Sequence, residues 1–356
     1  IEMACVEESD VIALIEGLVV DVIRTVTGKE VATPFPSFSY ADAMQRYGTD
    51  SPDLRSDLEL VDVSDLVSQL GFKVFSSAIE EGGSVRAIRV PGGGAWSRKQ
   101  IESLEDVVKN QGAGGLAWFK RTEDGTAGSI SRFLQGEASS QLLDRVCMEV
   151  GDLCCLVADR SNKVVNGSLS FLRKELAIRL EQIEPGALEF CWVKEFPLFV
   201  EDEASGRPTP CHHPFTAPHP DDLERLEDEP LTVRALAYDL VLNGFEVAGG
   251  SIRIHQRELQ ERVFEAIGLN QEEAQEKFSF LLDALRYGAP PHGGIALGLD
   301  RLAMVLAGVD SIREMIAFPK TQRGTCLLTG APGQVSGEQL SEVGLQLEES
   351  EPDESS

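Results

Sequence analysis

The run GGIALGLDRLAMVLAG at residues 293–308 sets a short apolar strand, Ile295 to Leu297, directly before an apolar helix and puts Arg301 in that helix's first turn. A helix start carries unpaired N–H groups and positive partial charge, so a cation there needs an anion beside it. Two anions are open: the neighbouring Asp300, or a phosphate held by the same N–H donors and approached past the glycines. The segment therefore asks for a fold in which a strand end meets an anion.

At 356 residues the chain has room for two or three domains, and 42% hydrophobic with 26% charged residues is ordinary for a soluble globular protein. No apolar run approaches the roughly 20 residues that span a bilayer, so no membrane is expected. The opening IEMACVEESD has neither the basic start nor the apolar stretch of a signal peptide. It begins without Met, at Ile1, in what reads as mid-strand, which is expected of a piece of a longer protein. Seven cysteines, with no C-x-x-C pair, speak for a reducing compartment. CHH at 211–213 has no second half-site and is a weak metal signal. A net charge of −27 argues against a broad nucleic-acid face, though the tail at 336–356 supplies seven acids and no base.

Helical spacing of Val11, Leu14, Ile15, Leu18 and Val19 predicts a first helix capped by Ser9 or Asp10 and stopped by Gly28. A short helix follows at Tyr40 to Tyr47, after a Pro-rich loop. Residues 57–184 change texture and read as an α+β module, with KVFSSAI, SVRAIRV, GLAWFKR and LCCLVAD as strand-like runs. LTVRALAYDLVLNGFEV reads as a helix running into a strand. Asn270 and Glu273 form a capping box for a helix that ends near Gly288.

Four clusters carry polar chemistry. In NGFEVAGGSIRIH, residues 243–255, strand alternation sets Ser251, Arg253 and His255 on one face and Ile252 and Ile254 on the other. That polar face is either solvated or a ligand surface. Glu246 has the opposite parity to Arg253, and a bulge at Ala248-Gly249-Gly250 would bring the two together. PCHHPFTAP holds His212 and His213 in a loop, as surface residues or as ligands. YGAPPHGGIALGLDRL is the glycine-flanked helix start, and SYADAMQRYGTDSPDLR offers polar loop residues without chemistry of their own. Two arginines, the carboxylates of Asp239 and Glu246 and a histidine pair suit a polyanion bound with Mg²⁺, which takes one or two carboxylates and leaves other positions to phosphate and water.

RYGTDSPDLR, HHPFTAP, NGFEVAGGSIRIH, FLLDALRYGAPPHGGIALGLDRLAMVLAG and IREMIAFPKT, in this order, resemble the bacterial-type aspartyl-tRNA synthetases, class II enzymes in which GLDRL is motif 3. The resemblance extends to about residue 335. It implies an α+β fold: a class II antiparallel sheet flanked by helices in residues 1–56 and 185–335, a GAD insertion domain at 57–184, and an acidic disordered tail at 336–356. It implies an aspartate–tRNA ligase that joins L-aspartate to AMP from ATP and passes it to tRNA-Asp, with tRNA-Asn left open. Carried over by motif, Arg301 contacts the ATP γ-phosphate, with Gly298, Leu299 and Asp300 lining the nucleotide site. Arg253 pairs with the aspartate side-chain carboxylate, His212 and His213 lie beside the amino acid, and Asp239 and Glu246 hold Mg²⁺. Catalysis is then positioning and charge neutralisation. A homodimer in bacterial cytoplasm, mitochondrial matrix or chloroplast stroma completes the expectation.

The family has three glycines where this chain has Ala248-Gly249-Gly250, a change expected to be tolerated unless Ala248 needs positive φ. IEMACVEE resembles the last strand of motif 2, so the anticodon-binding barrel, motif 1 and the motif 2 arginine are expected upstream, and the chain alone is expected to have little ligase activity. The alternatives are a truncated, non-catalytic paralogue that binds ATP or a partner, and a component of a tRNA-dependent amidotransferase.

Overall fold

A short strand, β1 (Glu2–Ala4), leads into the helix α1 (Glu8–Thr27), where Val11, Ile15, Val19 and Ile23 recur every four residues and are all buried. Leu14 and Leu18, counted with that face in the sequence, are exposed. The helix starts earlier than expected: Asp10 Oδ2 receives the Glu7 N–H at 2.8 Å, making Glu7 the cap. Gly28, at φ 70°, ends it. Next come β2 (Ser37–Ser39) and α2 (Tyr40–Tyr47).

The chain then builds a separate sheet with β3 (Leu60–Asp62), α3 (Ser64–Val67), α4 (Lys73–Glu80), β4 (Ser84–Val90), α5 (Arg98–Lys109), β5 (Ala117–Thr122), β6 (Gly125–Gly128), α6 (Gly136–Arg145), β7 (Leu153–Asp159) and α7 (Asn162–Arg179). Its five strands run antiparallel in the order β3-β4-β7-β5-β6. Both faces are covered: Leu153, Cys155 and Val157 of β7 pack with residues of α5 and α7, and Cys154 and Leu156 with Phe75 and Leu142 on the other side. That double burial makes LCCLVAD continuously apolar. KVFSSAI is α4 and not a strand, because Phe75 and Ala78, three apart, are its buried residues while Val74 is exposed.

The remaining elements are β8 (Phe190–Lys194), the ribbon β9 (Phe199–Glu201) with β10 (Pro208–Pro210), β11 (Ala237–Leu242), β12 (Phe245–Ile252), α8 (Arg257–Ala266), α9 (Gln271–Arg286), β13 (His292–Leu297) and α10 (Leu299–Ala307). The six-stranded core sheet has the order β1-β13-β12-β11-β8-β2 and is antiparallel except where β2 joins β8. α1 covers one face, where Glu16 Oε1 accepts the Trp192 Nε1–H at 3.0 Å. Cys191 and Val193 point to the opposite face by alternation and pack with Ala237, Val241 and Ile254.

No helix precedes β11. Pro230–Thr232 is a single tight turn, and β11 and β12 form a hairpin closed by Asn243 and Gly244 at φ 52° and 82°. Asn-Gly suits a two-residue turn that needs positive φ at both positions, a signal that outranks the helical reading of LTVRALAYDLVLNGFEV.

This computed structural model describes residues 1–347, in two units, Ile1–Leu302 and the described residues from Ala303 on. The second unit includes α11 (Gly337–Glu342), capped by Ser336, inside the stretch expected to be disordered from 336. The rest of that expectation, 348–356, lies outside the described residues. No helix among the described residues is long and apolar enough to cross a membrane.

Candidate active site

The hairpin sets the site's geometry. Leu240 pairs with Ala248 but Val241 pairs with Glu246, so Val247 is the extra residue of a β-bulge. The bulge falls immediately before the Ala-Gly-Gly run and has the effect expected of it. Asp239 and Glu246 now converge on Gly249: a Cβ there would stand 2.8 Å from Asp239 Oδ1 and 3.2 Å from Glu246 Oε1. At Gly250 a Cβ would meet the Gly294 carbonyl oxygen at 2.2 Å, so the approach of β13 requires this glycine. Ala248 lies outside the left-handed region and is buried, so the family's third glycine is dispensable here.

An open cleft of about 520 Å³ lies over Gly249, Gly250 and Ser251. One end holds the acid pair Asp239 and Glu246, and the other holds Arg253 with Glu2 paired to it. Burial first, then Glu246 and Asp50, push Asp239 up to about 8. Arg253 donates from Nη1 to His213 Nε2 at 2.8 Å and also to Ser251 Oγ, while its Nε and Nη2 reach the two Glu2 carboxylate oxygens at 3.2 and 3.4 Å. His213 Nδ1 faces the Phe215 N–H at 3.2 Å. His212 stands edge-on to Phe196 at 4.9 Å. Burial lowers both histidines, helped at His213 by Arg253, which favours the neutral ring.

Arg301 sits just beyond β13. Its Nη1 donates to the Glu246 carbonyl at 2.5 Å and lies 3.4 Å from Glu246 Oε2. The acid beside the helix start is thus Glu246, across the sheet, and not Asp300. Gly298 donates its N–H to the Val247 carbonyl at 2.8 Å, tying the helix start to the bulge. Gly298, Leu299 and Asp300 do not line the cleft, whereas Asp239, Glu246, Arg253, His212 and His213 do. A larger hollow of about 580 Å³ between α8 and α9 holds none of these residues.

Residues 1–322 match the family described as tRNA synthetases class II (D, K and N). The chain belongs to that family. An aspartate–tRNA ligase of Macrococcus caseolyticus is 50% identical over 348 residues, covering 98% of this chain and 59% of that protein. An aspartate–tRNA(Asp/Asn) ligase of Thermoanaerobacter sp. is 47% identical with the same coverage. This class II synthetase chain thus spans about 59% of the length of the relatives it matches. An asparaginyl-tRNA synthetase from Entamoeba histolytica aligns with 91% of this chain and 47% of its own at 16% identity and TM-score 0.39, a likeness too slight to carry an argument.

Sequence reasoning missed Glu2, Asp50 and Thr216. Glu2 and Thr216 line the cleft, and Asp50 adds negative charge at Asp239, His212 and Cys211. Each sits in a motif the resemblance quoted, but none shows a parity or spacing that marks it.

Proposed function

We propose that the chain forms the aspartate- and ATP-binding face of an aspartate–tRNA ligase that activates L-aspartate to aspartyl-AMP and transfers it to tRNA-Asp, and to tRNA-Asn where the names of several relatives extend. The observation that carries this reading is the polarity of one cleft, with an acid pair at one end and a guanidinium at the other. Support comes also from the relatives' names.

Two carboxylates on one glycine, one of them held up to about 8, make a hard oxygen donor pair that a divalent cation would relieve. Mg²⁺ takes one or two carboxylates and leaves its other positions to phosphate and water. When bound there, Mg²⁺ neutralises charge on the triphosphate. Asp239 and Glu246 would hold it, and Arg301, released from Glu246, would meet the γ-phosphate beside Gly298, Leu299 and Asp300. Arg253, released from Glu2, would take the aspartate side-chain carboxylate with its planar fork, and His212 and His213 would offer hydrogen bonds. The aspartate α-carboxylate oxygen then attacks the α-phosphorus and pyrophosphate leaves. The terminal ribose hydroxyl of the tRNA next attacks the acyl carbon, with AMP as leaving group. No protein nucleophile takes part. Residues 57–184 are the GAD domain in this reading, and the whole enzyme is a homodimer in bacterial cytoplasm or an organellar matrix or stroma.

Calorimetric titration of wild-type and Arg253→Lys chains with L-aspartate tests the assignment. Lysine keeps the charge and loses the fork, so affinity should fall about tenfold to a hundredfold. Equal affinity in the two proteins would remove Arg253 from the site.

A further inference from the structure

Two buried guanidinium groups join the inserted sheet to the core. Arg86, on β4, donates from Nη1 to the Met44 carbonyl at 2.9 Å and to Asn166 Oδ1 at 2.6 Å, and from Nη2 to the Gln45 carbonyl. Those carbonyls belong to the last turn of α2, the negative end of the helix dipole, which favours a cation. Arg173, on α7, donates to the Leu58 carbonyl and, at 2.6 Å, to the Ser56 carbonyl. Its guanidinium also lies 4.8 Å from the ring centre of Tyr47, the last residue of α2. The backbones touch as well: a Cβ on Gly48, at φ 70°, would stand 2.6 Å from the Asn166 carbonyl oxygen.

Past this clamp comes the 48–55 loop. Asp50 lies near enough to Asp239 and His212 for its charge to act on both. Asp53 is buried, held by Arg55 Nη2 at 2.6 Å, and packs under the β11–β12 turn, where a Cβ on Gly244 would lie 3.2 Å from the Asp53 Cβ. That hairpin carries Asp239 and Glu246. Two contacts joined by continuous chain therefore lead from the inserted sheet to the acid pair: guanidinium to α2, on into the 48–55 loop, Asp53 to the Gly244 turn, and along the hairpin strands to the carboxylates.

We infer that Arg86 and Arg173 are positioning residues through which the inserted module fixes the 48–55 loop and, with it, the carboxylate end of the cleft. The role of that end rests on the Mg·ATP reading above; the mechanical coupling does not. Neither arginine lines the cleft, and each acts through backbone carbonyls at the junction, Met44 and Gln45 for Arg86 and Ser56 and Leu58 for Arg173.

Hydrogen–deuterium exchange on the full 356-residue chain, with Arg86→Gln and Arg173→Gln variants, tests the coupling alongside calorimetric titration with Mg·ATP. Exchange at residues 44–58 and 239–249 should accelerate about tenfold while β7 and α5 stay at the wild-type rate. The Mg·ATP dissociation constant should rise about fivefold or more, with Arg86→Lys and Arg173→Lys recovering part of it. Faster exchange confined to 44–58, with 239–249 and Mg·ATP affinity unchanged, overturns the inference and leaves the arginines purely structural. If the wild-type chain binds no Mg·ATP, the nucleotide reading fails, and exchange at 239–249 alone decides the coupling. Should Arg86→Gln fail to fold, Gly48→Ala drives α2 away from α7 without removing a charge. It must give the same exchange pattern, and unchanged exchange at 239–249 in that variant also overturns the inference.

Discussion

Asp239 and Glu246 bring their carboxylates to a single glycine, within 2.8 and 3.2 Å of where a Cβ on Gly249 would stand. Like charges brought together in a partly buried place repel, and burial penalises each further. Such an arrangement costs stability. With its carboxyl held up to about 8, Asp239 must take up a proton on folding at pH 7; Asp239→Asn keeps the shape and removes that cost, so the chain should gain about 1 kcal/mol, or about 2–4 °C in Tm. Thermal unfolding without added metal at pH 7 reads the shift; a lower Tm than wild type contradicts it.

Gly249 tests the same pair from the backbone side. Its φ is ordinary, so Gly249→Ala strains no backbone and acts only by pushing the two acids apart. Mg·ATP affinity should fall about tenfold, or about 1.4 kcal/mol, while Tm changes little. A Gly249→Ala variant that binds Mg·ATP as wild type does would show that the convergence is incidental.

The Arg301–Glu246 pair has both side chains more than a third exposed. Exposed pairs contribute about 0–1 kcal/mol, so Arg301→Ala should leave thermal stability nearly untouched. Its effect should appear in nucleotide binding instead, with ATP weakened about tenfold and AMP, which lacks the γ-phosphate, unchanged. Equal losses for ATP and AMP would move Arg301 off the γ-phosphate.

Asp222 should contribute to the acid sensitivity of the core. It is buried, with Arg234 Nε at 2.8 Å, the Arg234 N–H at 2.9 Å and Arg225 beside it. The Arg234 guanidinium foremost holds its carboxyl far below the usual carboxylate range. A depressed folded-state value gives stability that is fully present above about pH 4 and is lost as pH falls through that value. Asp222→Asn should therefore destabilise the chain at pH 7 by about 2–3 kcal/mol and flatten the decline in stability below pH 4. Denaturant unfolding at pH 7 and pH 3 measures both, and an unchanged acid limb would assign it elsewhere.

Much of the site is legible in the sequence, and the reason is local. Strand parity alone separates Ser251 and Arg253 from Ile252 and Ile254, and the paired glycines announce the bulge that carries Glu246 across. Capping chemistry also reads locally, as at Asn270 and Glu273, whose reciprocal hydrogen bonds are both present. Non-local partners do not read this way. The acid beside Arg301 is Glu246, 55 residues away, and the carboxylate on Arg253 is Glu2, 251 residues away. KVFSSAI misleads because a short apolar run has no unambiguous period. Before Asn243-Gly244 the apolar spacing suggests a helix, and only the turn chemistry of that pair reveals the hairpin.

That one cleft binds ATP through Mg²⁺ held by Asp239 and Glu246 is the proposal on which the rest depends. Calorimetric titration of ATP into the wild-type and Glu246→Gln chains, with and without Mg²⁺, puts it to the test. Saturable binding should need Mg²⁺ and weaken about tenfold or more in the Glu246→Gln variant. Absence of ATP binding, or binding indifferent to both Mg²⁺ and the substitution, would contradict it.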